Sequence, residues 1–216
     1  MLILGVNILG TVFAGISAKY QLGWSSAFLN IFGLTIIYNY VAFTEKNVKY
    51  IKWAYLGILV GFVEVIADYW LVSGIHVLDY DPGGLFILKS PSYMPFSWAG
   101  MIITFGSIGQ WIENRSNFWM ASLLSALLMS LYVPLYEEIA FAAGWWSYKD
   151  TPMLGHVPYF IILGEFFIGL PLLYLANKIS TSSFKDLAIL SVFAGLWIFI
   201  SYSMAYYILD KGLLAS

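Results

Sequence analysis

Apolar stretches long enough to cross a bilayer follow one another along the chain, separated by short segments that carry most of its charge. A spanning helix takes about 20 apolar residues, and about seven stretches qualify. They are predicted near Leu2–Ser17, Trp24–Phe43, Trp53–Val72, Pro95–Ile112, Phe118–Ala142, Val157–Ala176 and Leu187–Leu209. The pattern predicts an all-α polytopic membrane bundle of about seven transmembrane helices, forming a single domain over residues 1–216. No basic residue precedes the first stretch, so it is expected to be a retained helix rather than a signal peptide.

Composition agrees. The chain is 61% hydrophobic and 10% charged, against roughly 25% charged in a soluble domain. Its mean hydropathy is +0.80. A net charge of -2 argues against a nucleic-acid partner, which calls for a basic face. There is no cysteine, and His76 and His156 are the two imidazoles. Thiol chemistry is excluded, and neither a metal nor another cofactor is expected.

Lys and Arg in the short loops set the orientation. Lys46, Lys49, Lys52, Arg115, Lys178 and Lys185 lie on one side, and Lys19, Lys89, Lys149 and Lys211 on the other. This bias predicts a cytoplasmic N-terminus and an external C-terminus. The loops after the third and fifth helices then face outward. They are rich in aromatic and turn residues, as in Asp79-Tyr-Asp-Pro-Gly-Gly84. Such a loop is either an ordinary interfacial connection or a lid over a site.

Acids inside the spans change the picture most, because ionisable groups at bilayer depth are expensive and mark function. Glu64 and Asp68 are one turn apart on the third helix and share a face. At a rise of about 1.5 Å per residue, they lie roughly 16 Å and 22 Å from its inner end. Glu165, on the oppositely directed sixth helix, lies roughly 12 Å from the outer end, in the same layer. Glu137 and Glu138 cap that layer, and one of the pair is expected to face water. No Lys or Arg falls at this depth. A carboxyl without a cationic partner in a low-dielectric medium favours its neutral form and is then a proton donor. The alternative is structural, with the acids hydrogen-bonding Asn30, Asn39, Gln110 or tyrosines to hold the bundle together.

Other features carry structural readings first. Gly57-Ile-Leu-Val-Gly61 is a small-xxx-small motif for close helix packing. Trp70, Trp98, Trp145, Trp146, Tyr69, Tyr93 and Tyr159 fall near the acid layer. They are either interfacial anchors or the wall of a cavity, where aromatic faces would stabilise a cation.

An internal similarity is more specific. Asp68-Tyr-Trp-Leu-Val-Ser-Gly74, Tyr80 and Pro95 correspond to Glu138-Ile-Ala-Phe-Ala-Ala-Gly144, Tyr148 and Pro158. Helices 3–4 and 5–6 are therefore expected to form an internal repeat, with a site between its halves.

These residues carry a resemblance. The repeated acid–Gly–Tyr–Pro plan resembles the carotenoid-biosynthesis membrane proteins, namely the heterodimeric-type and fungal lycopene cyclases and the bacterioruberin-pathway hydratases. Val133-Pro134-Leu-Tyr-Glu137-Glu138 is similar to the Pro-x-Glu-Glu motif of those cyclases, and Gly144-Trp-Trp-Ser-Tyr148 to the Gly-x-Trp-x-Tyr that follows. Two residues separate Pro134 from Glu137, where the family has one. The small membrane meroterpenoid cyclases share the general plan. The resemblance covers about Gly61–Pro171.

It implies a membrane enzyme without a cofactor, of the isomerase or lyase type, acting on a hydrophobic isoprenoid from within the lipid. Reaction would begin by protonation of a C=C or an epoxide and end in cyclisation or hydration. Asp68 or Glu138 would be the acid, assisted by Glu64, Glu165 and Glu137. Trp70, Tyr80, Tyr93, Trp98, Trp145, Tyr148 and Tyr159 would line the substrate. The competing classes are a proton-coupled small-solute transporter and a seven-helix receptor or scaffold. Against transport stands the expectation that no span is broken by Pro or Gly at mid-depth.

Overall fold

A computed structural model of the protein describes residues 2–212. Its helices are α1 (Leu2–Tyr20), α2 (Gly23–Thr44), α3 (Val48–Tyr69), α4 (Met94–Glu113), α5 (Phe118–Ala142), α6 (Tyr159–Gly169), α7 (Leu172–Lys178) and α8 (Phe184–Tyr206). Short π-helical turns extend α3 over Trp70–Gly74 and α8 over Tyr207–Gly212. Six segments are long and apolar enough to cross a membrane: Ile3–Tyr20, Gly23–Thr44, Val48–Gly74, Phe118–Ala142, Tyr159–Lys178 and Phe184–Lys211. The chain reads as an integral membrane protein. Seven such helices were expected, but α4 is not in this set. It is 20 residues long, yet Ser97, Thr104, Ser107, Gln110 and Glu113 dilute its apolar character.

Helix starts follow from local chemistry. At the end rich in Lys and Arg, Asn47 caps α3, Asn117 caps α5, and Ser183 and Asp186 form a capping box on α8. Each supplies an acceptor to an otherwise orphaned N–H. At the opposite end, α4 has Pro95 in its first turn and α6 follows Pro158, where a missing N–H costs nothing. Proline also corrects an expectation. The predicted sixth span is interrupted at Leu170 and Pro171, which separate α6 from α7. Pro171 has no N–H to continue the ladder, and its ring clashes with the preceding turn.

Helix α3 packs along α4 and α8, α5 along α6, and α6 along α8. Small residues permit the closest approaches. Gly57 faces the backbone of Ala99, Gly61 that of Pro95, and Gly169 that of Ala126. The α1–α2 hairpin lies outside this bundle, with α1 against α5 and α2 against α3 and α4. Leu4, Ile8, Val12 and Ile16 leave an exposed apolar stripe along α1, a surface suited to lipid rather than water.

The end opposite the Lys/Arg-rich loops is closed by short strands: β1 (Leu78–Tyr80), β2 (Phe86–Ile87), β3 (Ser90–Pro91), β4 (Trp146–Tyr148), β5 (Met153–Leu154) and β6 (Val157–Pro158). Strands β1 and β4 pair antiparallel, with Asp79 opposite Ser147. The β2–β3 and β5–β6 pairs are hairpins. The α3–α4 and α5–α6 connections share one construction. Asp81 N–H donates to Trp145 O and Lys149 N–H to Val77 O, while Ser92 N–H donates to Leu85 O and Tyr159 N–H to Pro152 O. Positive φ angles occur at His76 and Gly144, then at Leu88 and Gly155.

The register of this correspondence differs from the expected one. Val77 N–H reaches back to Leu71 O, whereas Trp145 N–H reaches Ala140 O, one residue less. The π-helical turn holds that extra residue. Asp68 therefore corresponds to Glu137 rather than Glu138, and Pro91 rather than Pro95 corresponds to Pro158.

The Asp79–Gly84 segment ties the hairpin to this strand layer. The Asp81 carboxylate accepts from Trp24 N–H at 2.6 Å and Gly83 N–H at 3.0 Å, so it caps α2 from a distant loop. Gly23 N–H donates to Ala143 O at 2.9 Å. Asp79 pairs with Lys149 at 2.5 Å. Asp81→Ala is expected to cost about 1 kcal/mol, as loss of a helix cap does. A lowered melting temperature in detergent measures this, and an unchanged one contradicts the cap assignment.

Candidate functional site

One cavity, of about 170 Å³, is lined by residues from α1 to α6, α8 and the strand layer. Four carboxyls face it: Glu64, Asp68, Glu137 and Glu165. No Lys, Arg or His is among its described lining residues. Glu64, Asp68 and Glu165 are buried, at 1%, 4% and 2% exposure. Helix geometry brings them together. Glu64 and Asp68 share a face of α3, Glu137 lies one turn before the end of α5, and Glu165 lies in the second turn of α6.

Hydroxyls and indoles, rather than cations, satisfy these acids. Ser90 Oγ donates to Asp68 Oδ2, and the Tyr80 hydroxyl and the Glu64 carboxyl lie against Asp68. Trp146 Nε1 donates to Glu137 Oε2 at 2.5 Å, and the Tyr148 hydroxyl lies against Glu137. Tyr202 Oη donates to Glu165 Oε1 at 2.5 Å. Glu64 Oε2 and Glu165 Oε2 have no partner among the described residues. Of the structural alternative, bonds from Asn30, Asn39 or Gln110 to the acids are not made among the described residues, whereas a tyrosine bond is, from Tyr202 on α8 to Glu165 on α6. Gln110 instead donates to Ala176 O, and its Oε1 accepts from Lys49.

Tyr80 and Tyr148 occupy corresponding positions on β1 and β4, so two acid–tyrosine pairs face one cavity. Burial pushes both hydroxyls well above the usual tyrosine range, and the nearby carboxylates, led by Asp68 for Tyr80 and Glu137 for Tyr148, add to the effect. Both therefore remain O–H donors.

Several expected site residues lie elsewhere. Glu138 is 41% exposed at its side chain. It accepts from His156 N–H at 2.7 Å and bonds His156 Nδ1 at 2.8 Å. It holds the β5–β6 turn and does not line the cavity, because the neighbouring positions Glu137 and Glu138 point about 100° apart on a helix. Trp70 packs edge-on against Phe199 and Tyr206. Trp145 is fully buried, with its Nε1 on Ser26 Oγ at 2.8 Å. Tyr93 is buried beside Trp24, and Tyr159 is 44% exposed. Tyr80, Trp98 and Tyr148 do line the cavity. Tyr202, on the cavity wall, and Ser90, behind Asp68, were not expected at the site. The Ser201-Tyr-Ser203 cluster inside the apolar α8 was the available signal for Tyr202.

A Domain of unknown function model (DUF6989) matches residues 65–209. The chain belongs to this family. The matched DUF6989 domain contains Asp68, Tyr80, Glu137, Tyr148, Glu165 and Tyr202, while Glu64 and the α1–α2 hairpin precede it. No curated protein and no solved structure matches the chain. The resemblance to carotenoid-pathway enzymes therefore stands on the quoted motifs alone.

Proposed function

We propose that this protein is a membrane enzyme that acts on a lipid-soluble isoprenoid by acid-initiated cyclisation or hydration. One observation carries the reading: four carboxyls, paired with tyrosine and tryptophan donors, face a cavity with no basic residue on its described wall. Such a surface is complementary to a positive charge that develops during reaction. Asp68, in its acid form, gives its proton to a C=C carbon or an epoxide oxygen, and the π bond or an epoxide C–O bond breaks to leave a carbocation. Trp98, Trp146, Tyr80 and Tyr148 present aromatic faces to it. In a cyclisation, a second C=C attacks the cation to form the new C–C bond and carries the positive charge to its far carbon, and Glu137 then accepts the adjacent C–H proton as a C=C re-forms. In a hydration, water adds to the cation and a carboxylate takes the released proton.

The correspondence of the α3–α4 and α5–α6 connections supports an internal repeat, with Asp68 and Glu137 as its two acids. In this proposal α4 is a seventh span, the N-terminus is cytoplasmic and the strand layer lies on the outer side, following the Lys/Arg bias.

The interruption at Leu170–Pro171 favours a second reading, proton-coupled transport, in which broken helices serve substrate movement. Mass spectrometry of co-purifying lipids, repeated after incubation with linear isoprenoids, separates the two. A bound or converted isoprenoid supports the enzyme. Neither binding nor conversion, together with pH-dependent solute uptake in proteoliposomes, assigns the acids to transport instead.

A further inference from the structure

The cavity does not end at the acids. It continues between α4 and the α1–α2 hairpin, where its wall includes Asn7, Asn30, Thr35, Asn39 and Thr104 among Ile3, Val6, Ile31 and Leu34. Asn7 and Thr104 satisfy each other, with Asn7 Nδ2 donating to Thr104 Oγ1 at 3.0 Å. Thr35 donates to Ile31 O, and Asn39 to Thr35 O.

Asn30 differs. It is 5% exposed, and its single hydrogen bond is Nδ2 to Gly10 O at 3.3 Å. A carboxamide offers two N–H donors and an acceptor oxygen, so Asn30 keeps one donor and Oδ1 unpaired at the cavity wall among the described residues. A buried polar group left unsatisfied costs about 1–3 kcal/mol. On a cavity wall, such a group is retained where it meets something polar. It lines the same cavity as the carboxyls, on the hairpin that precedes the matched domain.

We infer that Asn30 is a specificity-determining residue that hydrogen-bonds an oxygen-bearing group of the ligand, so that the ligand is an oxygenated isoprenoid rather than a hydrocarbon. The inference rests on the proposed isoprenoid-binding function. The chemistry division follows the structure. The matched domain supplies Asp68, Glu137 and Glu165, and the α1–α2 hairpin reads the polar group. A hydroxyl suits the site, since it donates to Oδ1 and accepts from the free N–H. Water is the competing occupant of the same position, and then ligand oxygenation would not matter.

The test compares geranylgeraniol with the corresponding hydrocarbon lacking the hydroxyl, by equilibrium binding to the full chain in detergent. The wild type is expected to favour the alcohol about tenfold, the value of one added hydrogen bond. Asn30→Leu should bring the ratio to about one by weakening alcohol binding alone. Asn30→Gln, which restores a carboxamide, should recover part of the preference and serves if the leucine variant does not fold. Equal wild-type binding of the two probes overturns the inference and leaves the lipid reading intact. A preference that persists in both variants also overturns it, since the hydroxyl would then be held by the acids. If neither probe binds the wild type, both the inference and the isoprenoid reading fail.

Discussion

Asp68→Asn and Glu137→Gln are each expected to lower isoprenoid turnover by about 10²–10⁴-fold, the contribution typical of a positioned general acid or base. Glu138→Gln should leave it nearly unchanged. The contrast between adjacent residues is the strength of the prediction. Glu137 faces the cavity with Trp146 Nε1 on its carboxylate, whereas Glu138 holds His156 on the exposed side of the helix. Amide substitution keeps side-chain size and removes the acid function, with an NH2 donor in place of one oxygen. Product formation by mass spectrometry, on variants with unchanged melting temperature, measures the effect. Full activity in both Asp68→Asn and Glu137→Gln would falsify the assignment. Loss in Glu138→Gln alone would return the acid to the exposed position.

The largest structural effect is expected at Gly61. A Cβ there would meet the backbone of Pro95 in α4, and backbone cannot swing aside as a flexible side chain can. Gly61→Val should therefore force α3 and α4 apart, at about 1–3 kcal/mol or more for an overpacked contact. Gly33→Ala is the control. Nothing lies within 4 Å of a Cβ at that position in α2, and alanine is the better helix former by about 1 kcal/mol. Thermal melting in detergent should show a marked fall for Gly61→Val and none for Gly33→Ala. Equal melting of the two variants would mean that the α3–α4 contact is looser than the structure has it.

Some of the site was legible because local rules decided it. The spacing of Glu64 and Asp68 places them on one face of any α-helix, and the absence of basic residues at their depth is visible in the chain. Glu165 fell in the same layer because helix rise converts residue number into depth. Tyr80 and Tyr148 were found through the similarity between the two connections. The choice between Glu137 and Glu138 was hidden. The similarity aligned Gly74 with Gly144 and so paired Asp68 with Glu138. A π-helical turn after α3 carries one more residue than its counterpart after α5, and it shifts the pairing to Glu137.

By itself, then, the sequence determined the helical class and the membrane setting, because apolar length and charge deficit are sums over the chain that no fold can change. It also showed Glu64, Asp68 and Glu165 within apolar stretches that hold no Lys or Arg beside them. Only the tertiary structure decided which acids meet. That outcome depends on helix rotation, on a π turn of one extra residue, and on the pairing of β1 with β4 from the two connections. The same holds for Tyr202 on Glu165, for Asp81 at the start of α2, and for Asn30 on the cavity wall. Each depends on a contact between segments far apart in sequence, whose partners no local pattern specifies.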